Sequence, residues 1–209
     1  MHVELQNISK HFYYNWSFKD LDYTFEGGKW HAITGRNGSG KSTLLQVISS
    51  FRTPSKGHIH YAKAGKAIPV EDVYAHLTLA TPHLDLLEEF SLEEHLQFQA
   101  TFKSLKANLD IDTILDLTGL KPHRHKAIKY FSSGMLQRLR LAQAIYFQSS
   151  LLLLDEPTSH LDRAGIEWYK QTMLEYCQDQ CVIISSNVKE DYEFCPNVLD
   201  VEAHKPEKA

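Results

Sequence analysis

The sequence predicts an α/β fold in which a block of helices interrupts a parallel β-sheet. Two continuous apolar runs, Leu151–Leu154 and Val182–Ile184, are typical of central parallel strands that are covered on both faces. A glycine-rich loop at Gly35–Ser42 separates a strand-like segment from a helix-like one, which is a common connection in such sheets. Between residues 86 and 148 the apolar spacing is helical instead, so this region is expected to leave the sheet and return to it.

Five short β-like segments occur within the first 85 residues. They are Val3–Leu5, Phe18–Phe25, Trp30–Thr34, His58–Tyr61 and Leu77–Ala80. Turn-forming residues separate them, since Gly27-Gly28 precedes the third segment and Pro54–Gly57 precedes the fourth. Glycine and proline favour the backbone angles of turns, so these positions predict the ends of strands.

Three helices are predicted in the middle of the chain. Their approximate ranges are 91–102, 110–118 and 133–147. Ser91 and Glu94 have the spacing of a capping box at the start of the first helix. Gly119 is expected to stop the second helix, because glycine adopts the left-handed conformation that often follows a helix.

Composition limits the possible classes of function. The 209 residues carry 22 basic and 26 acidic side chains without long runs, so nothing suggests a basic surface for nucleic acid. The longest purely apolar run, Leu151–Leu154, is far shorter than the ~20 residues that span a bilayer, and the N-terminus lacks the pattern of a signal peptide. Three cysteines without zinc-type spacing are expected to be reduced thiols. We therefore expect a soluble, intracellular protein.

The segment Gly35-Arg36-Asn37-Gly38-Ser39-Gly40-Lys41-Ser42 satisfies every fixed position of the phosphate-binding pattern G-x-x-x-x-G-K-[ST]. In such a loop the backbone N–H groups surround the phosphates, the lysine reaches the β- and γ-phosphates, and the hydroxyl ligates Mg²⁺. Trp30–Thr34 is predicted as the preceding strand and Thr43–Ile48 as the following helix, whose N-terminal dipole favours an anion. A plain glycine-rich turn is the competing interpretation, and the strand and helix on either side disfavour it.

Two adjacent carboxylates, Asp155 and Glu156, follow the apolar run Leu151–Leu154. A carboxylate at the end of a buried strand can hold Mg²⁺, and the next one can polarise a water molecule for attack on a γ-phosphate. The alternative is a solvated acidic turn after a buried strand, which the upstream phosphate-binding pattern disfavours. A third motif, Phe131–Arg138, places Ser132 and Ser133 at a helix start. Free N–H groups there favour an anion, although a plain serine N-cap explains the same residues.

Together these motifs resemble the nucleotide-binding subunit of an ATP-binding-cassette (ABC) transporter over essentially the full chain. The order of phosphate-binding loop, helical insert, Phe131–Arg138, Asp155-Glu156 and Ser159–Asp162 is that of the family. Phe131–Arg138 is similar to the family's L-S-G-G-Q signature, with Phe131, Ser133 and Met135 at three altered positions. The predicted fold class is therefore an α/β P-loop NTPase (RecA-like) core with an N-terminal antiparallel β-subdomain and an inserted α-helical subdomain. The core and β-subdomain would cover residues 1–85 and 149–209, and the helical subdomain residues 86–148.

The resemblance implies that the chain binds ATP and Mg²⁺ and hydrolyses ATP. Catalytic roles fall on Glu156, which would polarise water, and on Lys41 and Asn187; metal ligation falls on Ser42 and Asp155. Phe12 lies where the family places an aromatic that stacks on adenine, although a core or edge-strand aromatic is the alternative. The implied nucleotide-binding residues are Phe12, Gly35, Arg36, Asn37, Gly38, Ser39, Gly40, Lys41, Ser42, Thr43, Ser132, Ser133, Gly134 and Met135.

Two positions depart from the family pattern. Asn187 follows the strand Val182–Ile184 where the family usually has a histidine, and an amide donates a hydrogen bond but cannot become cationic. The glutamine that usually precedes the helical block is missing, because no Gln occurs between Gln46 and Gln97. His83 is a possible substitute, with an exposed loop histidine as the alternative. Both departures put the usual hydrolysis geometry in doubt.

The implied function is the energising ATPase subunit of a transporter whose membrane-spanning permease subunits lie on other chains. Two such subunits would close head to tail around ATP, as a homodimer or as a heterodimer with a related subunit. The chain would lie peripherally on the cytoplasmic face of the cell membrane, with no nucleic-acid partner. Two alternatives stay open: a nucleotide-dependent regulatory switch with little hydrolysis, and a soluble ABC ATPase that does not serve transport.

Overall fold

The computed structural model describes residues 1–13, 15–82 and 84–205. These residues form two compact units. The first contains Met1–Leu77, Ser149–Glu156 and the described residues from Asp179 onwards, and the second contains Thr78–Gln148 and Pro157–Gln178. The predicted helical block, 86–148, lies inside the second unit; as a division into domains, the predicted boundaries stay a prediction.

Strands and helices alternate along most of the described chain. The strands are β1 (His2–Phe12), β2 (Asn15–Phe25), β3 (Trp30–Thr34), β4 (Lys56–Lys63), β5 (Lys66–Ile68), β6 (Leu77–Ala80), β7 (Leu151–Asp155), β8 (Cys181–Ser185) and β9 (Asn197–Asp200). The helices are α1 (Lys41–Ile48), α2 (Val73–His76), α3 (Leu92–Phe102), α4 (Ile111–Leu117), α5 (Ser133–Ile145), α6 (Arg163–Tyr176) and α7 (Lys189–Tyr192). Short 3₁₀ turns lie at Val70–Asp72, Lys121–His123, Ile128–Tyr130 and Val201–His204.

An antiparallel sheet and a parallel sheet form the first unit. The antiparallel sheet has the strand order β2-β1-β4-β5, and Val3 of β1 lies opposite Phe25 of β2 and Tyr61 of β4. The parallel sheet contains β7, β8, β3 and β9 in that order. Every residue of β7 and β8 is buried, as expected of central parallel strands, and α1 packs against both.

Capping residues fix the helices of the second unit. The capping box of Ser91 and Glu94 is present at the start of α3, as predicted. Asp110 accepts the N–H of Thr113 as the N-cap of α4, and Gly119 follows the helix with a φ of 68°. Arg124, which follows these helices, joins the carboxylates of Glu93 in α3 and Asp112 in α4 at 2.8 and 2.7 Å. The bond from Arg124 lowers the pKa of Glu93, and the bonds from Lys121 and Arg124 lower the pKa of Asp112.

Five strands and α-helices were not predicted from the sequence. They are β5, β9, α2, α6 and α7. Strand β9 is only four residues long, and Leu199 is its one buried residue, so it lacks the continuous apolar run that marked β7 and β8. The three cysteines are buried, and none of them forms a disulfide. Burial raises the pKa of Cys177 to about 11.

A buried histidine links β3 to the antiparallel sheet. The side chain of His31 is 2% exposed; its Nε2 accepts the N–H of Glu26 at 3.1 Å, and its Nδ1 lies 3.3 Å from the Tyr23 hydroxyl. Because Nε2 is an acceptor, the imidazole is neutral with its hydrogen on Nδ1. Burial lowers the pKa of His31 below its ordinary value.

We predict that this histidine contributes an acid-sensitive part of the stability. Its folded-state pKa is depressed, so the contribution is complete above the unfolded-state pKa of about 6.5 and is lost as the pH falls further. The free energy of unfolding, measured with denaturant between about pH 7 and pH 5, should decline less steeply in His31→Gln, whose amide oxygen can still accept the Glu26 N–H. His58→Gln, at an exposed position, is the matched control; identical pH profiles for the two variants would contradict the assignment.

Candidate functional site

The glycine-rich loop connects β3 to α1 and has a backbone that only glycine adopts easily. Gly35, Gly38 and Gly40 have φ values of 138°, 74° and 108°. A Cβ atom at Gly35 would lie 2.7 Å from the Ser39 Oγ, so a larger residue there would force the loop apart. Gly40 is the N-cap of α1 without any side-chain capping bond, which leaves the first N–H groups of the helix for another acceptor.

Lys41 is the first residue of α1 and folds back over the loop. Its side chain is largely buried, and its Nζ donates to the carbonyl oxygens of Gly35 at 2.9 Å and Arg36 at 3.3 Å. The loop therefore holds a buried ammonium group at its centre. Its neighbour Ser42 is exposed and Thr43 is half-buried, whereas the fully buried Ser39 hydroxyl has no hydrogen-bond partner among the described residues.

The predicted carboxylate pair lies at the end of β7. Asp155 is 5% exposed, and its Oδ1 accepts the Ser185 hydroxyl at 2.7 Å. Glu156 donates its backbone N–H to the Ser185 carbonyl at 2.8 Å and has a φ of 46°. A left-handed backbone at a residue other than glycine is uncommon and is often found at functional positions. Ser185 of β8 thus fixes both acidic residues.

Asn187 and the start of the glycine-rich loop line one cavity. Asn187 is exposed and lies two residues after the end of β8. The preceding Ser186 donates its hydroxyl to the buried Asp191, so the connection out of the sheet is anchored immediately before Asn187. The cavity has a volume of about 620 Å³, and its lining residues are Thr34, Gly35, Arg36, Asn37, Asn187, Tyr192, Asp200 and Glu202.

Phe12 ends β1 and is 37% exposed. The Arg52 guanidinium lies 5.0 Å and the Lys10 ammonium 5.5 Å from its ring centre. The ring is therefore a partly open aromatic surface near two cations, and its role toward adenine stays a prediction. His83, the candidate substitute for the family's glutamine, lies outside the described residues.

The second unit carries the serine pair in a cavity of its own. Ser132 is the N-cap of α5 and accepts the N–H of Met135. A Cβ atom at Gly134 would approach the His160 carbonyl oxygen to 3.1 Å, so the helix start lies close to the loop before α6. The cavity has a volume of about 470 Å³, and its lining residues are Gly119, Leu120, His123, Ser132, Ser133, Gly134, Met135, Arg138, His160, Leu161 and Asp162.

Several residues at these cavities were given no site role at the level of sequence. In the second unit, Arg138 donates to the Thr118 carbonyl at 3.1 Å and lies 3.5 Å from the Asp162 carboxylate. In the first unit, Glu202 accepts the backbone N–H of Arg36 at 3.2 Å. No local pattern could predict the second contact, because 166 residues separate its partners.

The oxygen ligands needed for Mg²⁺ are available from the predicted residues. Mg²⁺ usually takes one or two carboxylates together with water and phosphate oxygens, and Asp155 and Ser42 supply a carboxylate and a hydroxyl. The Ser185 hydroxyl occupies only one Asp155 oxygen, so the other can serve as a ligand. No group of three or more His, Cys, Asp or Glu side chains that could hold a metal occurs in the described part of the chain, so a site here would depend on phosphate and water.

Comparison with known proteins identifies the family. Residues 18–159 match the ABC transporter family. Two relatives from Bacillus subtilis (strain 168), the uncharacterized ABC transporter ATP-binding proteins YybJ and YhcH, are each 30% identical. The alignments cover 90% of this chain and 87% of YybJ, and 92% of this chain and 64% of YhcH.

A solved structure shares the fold. It is a dimeric post-hydrolysis state of the ATP-binding cassette MJ0796 bound to ADP and Pi, with a TM-score of 0.82 and 18% identity over 99% of this chain and 97% of that one. The chain therefore belongs to the ABC transporter family and is an ATPase of the ATP-binding-cassette class. The predicted fold class, an α/β P-loop NTPase, is confirmed. Among the described residues, no helix combines the length and apolar character needed to cross a bilayer.

We predict that Lys41→Ala weakens nucleotide binding at the loop. The substitution removes the ammonium group at the centre of the loop, and charge-assisted bonds to phosphate are among the strongest polar contacts. The dissociation constant for MgATP, measured by equilibrium titration, should rise about tenfold or more. Lys63→Ala removes an exposed lysine of β4 and should leave the constant unchanged; equal affinities in the two variants would refute the assignment.

Proposed function

We propose that this chain is the ATP-binding and ATP-hydrolysing subunit of an ABC transporter. It would energise transport through separate membrane-spanning subunits by ATP-driven dimerisation. The observation that carries the proposal is the glycine-rich loop with its buried Lys41. The loop follows β3, which lies in the same parallel sheet as β7, and Asp155 and Glu156 lie at the end of β7. A nucleoside triphosphate needs both a phosphate cradle and carboxylates beside it.

The predicted site residues of the first unit have separate roles in this proposal. Lys41 exchanges its bonds to the loop carbonyls for bonds to the β- and γ-phosphates. Ser42 and Asp155 would hold Mg²⁺, which would neutralise charge on the phosphates. Glu156 takes a proton from the attacking water, and its strained backbone sets the direction of the carboxylate. Asn187 donates an amide hydrogen bond to the γ-phosphate.

The partners follow from the second unit and from the family. The N-terminus of α5 would present Ser132, Ser133 and Gly134 to the nucleotide of a second subunit, which is either another copy or a related chain. Supporting this, the related cassette MJ0796 is dimeric in its ADP-bound state. Phe98 and Phe102 of α3 are 39% and 73% exposed, and this apolar surface would contact the membrane-spanning subunits. The chain would then lie on the cytoplasmic face of the membrane.

A second candidate function is a nucleotide-dependent switch that binds ATP and hydrolyses little of it. The observation that favours it is Asn187, which is neutral where the family usually has histidine. Nucleotide binding is common to both candidates, and only turnover separates them. A soluble ABC ATPase acting on nucleic acid is disfavoured by the net charge of -4.

We predict that Glu156→Gln abolishes most of the turnover and preserves binding. The amide keeps the shape of the side chain but cannot accept the proton, so the turnover rate should fall about a hundredfold or more. Phosphate release measures the rate, and titration with MgATP measures affinity. Glu167→Gln, on an exposed position of α6, is the control. A wild-type protein that binds MgATP without turnover would instead support the switch.

We predict that Ser133→Arg prevents ATP-driven dimerisation. A cation at the start of α5 opposes the helix dipole and obstructs close approach of a second subunit. In size-exclusion chromatography with MgATP, the Glu156→Gln protein should elute as a dimer, and the Ser133→Arg, Glu156→Gln protein as a monomer with near-normal ATP affinity. Ser104→Arg, an exposed serine of the same unit, should leave the dimer intact. Dimers of the Ser133→Arg protein would count against the proposed interface.

A further inference from the structure

The residues that follow β9 form a short turn against the glycine-rich loop. This 201–205 segment consists of the 3₁₀ turn Val201–His204 and Lys205. Val201 is fully buried, the Asp200 carboxylate accepts the N–H of Glu202 at 2.9 Å, and the N–H of Lys205 bonds to the Glu202 carbonyl at 3.1 Å. The segment is therefore anchored by its own core residue and backbone bonds, independently of the loop.

Glu202 makes the first contact with the loop. Its Oε1 accepts the backbone N–H of Arg36 at 3.2 Å, and its Oε2 lies 3.8 Å from the Arg36 Nε. The Arg36 side chain is 90% exposed, so solvent screens the ion pair and the bond to the backbone is the stronger interaction. The Glu202 stem also packs against Gly35, where an added Cβ would come within 3.2 Å of its Cγ.

Lys205 makes the second contact, two residues further along the loop. Its Nζ donates to the Gly38 carbonyl at 3.1 Å. The Ser39 N–H belongs to the same peptide group as the Gly38 carbonyl, and it donates to the Arg36 carbonyl at 3.0 Å. A carboxylate and an ammonium group from one short turn thus fix two peptide groups of the loop, at Arg36 and at Gly38.

We propose that Glu202 and Lys205 are positioning residues for nucleotide binding, acting through the backbone of the glycine-rich loop. A loop with three glycines at positive φ has many accessible conformations, and ordering it opposes binding. The 201–205 segment reduces this cost by fixing the loop before the phosphates arrive. The inference rests on the proposed nucleotide binding at this loop and adds to it a second element that determines affinity.

A positioning role and a purely structural role differ in what each substitution should change. Truncating Glu202 leaves the buried Val201 and the backbone bonds of the turn in place, so the fold should persist. The loop then loses its preorganisation, which raises the dissociation constant and the KM for ATP. The value of kcat should stay within about twofold, because preorganisation of binding acts equally on the bound substrate and on its transition state.

The experiment compares matched variants of the full chain. Glu202→Ala should raise the dissociation constant for MgATP about five- to tenfold, since a hydrogen bond to a charged group is lost. Glu202→Gln should stay within about twofold of wild type, because its amide oxygen still accepts the Arg36 N–H. Lys205→Met should raise the constant about threefold. Glu71→Ala and Lys66→Met, at exposed positions, are the controls, and the melting temperature without nucleotide should be unchanged throughout.

The outcomes separate this inference from the proposed function. If the wild-type protein binds MgATP and the dissociation constants of Glu202→Ala and Glu71→Ala are equal, the inference is wrong and the proposed function is unaffected. If Glu202→Gln binds MgATP as weakly as Glu202→Ala, the role assigned to the bond with the Arg36 N–H is wrong. If Glu202→Ala lowers the melting temperature, the affinity of Lys205→Met for MgATP becomes the test. An affinity equal to that of Lys66→Met then rejects the positioning role of the 201–205 segment. Wild-type protein without MgATP binding rejects both the proposed function and the inference.

Discussion

The peptide groups of the loop from Gly35 to Lys41 cannot form the hydrogen bonds of regular secondary structure, so the surrounding structure has to hold the loop in place. Gly35, Gly38 and Gly40 adopt positive φ angles, so the loop has no helix or strand ladder of its own to make it rigid. Regular structure holds its two ends, since β3 lies between β8 and β9 in the parallel sheet and α1 packs on β7 and β8. The glycines allow the loop conformation, while the sheet and the helix stabilise it.

The parallel sheet also explains why distant residues meet at this loop. The carboxyl ends of parallel strands lie at one edge of a sheet, which is where ligands bind in such folds. Asp155 ends β7, Asn187 follows β8, and the loop follows β3. Ser185 holds the carboxylate of Asp155 with its hydroxyl and the backbone of Glu156 with its carbonyl. A single residue of β8 therefore orients both acidic groups.

The second unit presents a separate polar cavity, and its construction follows the same physical logic. The amides at the start of α5 are only partly satisfied by the Ser132 cap, so they remain available to an anion. Gly134 allows the close approach of the His160 carbonyl, and Arg138 ties the Thr118 carbonyl to the Asp162 carboxylate. In the proposed function these amides complete the nucleotide site of a second subunit, so closure depends on ATP.

The sequence by itself determined the fold class, the capping box of Ser91, the buried strands β7 and β8, and the motifs that carry the resemblance to ABC transporters. These features depend on residues close together in the chain, whose periodicity and spacing have direct physical meaning. Strand β9, the left-handed backbone of Glu156 and the contacts of Glu202 and Lys205 with the loop were decided only by the tertiary structure. The two contacts join residues 166 and 167 positions apart, and a short turn has no local pattern that predicts its partner. Only the packing of β9 beside β3 brings that turn to the loop.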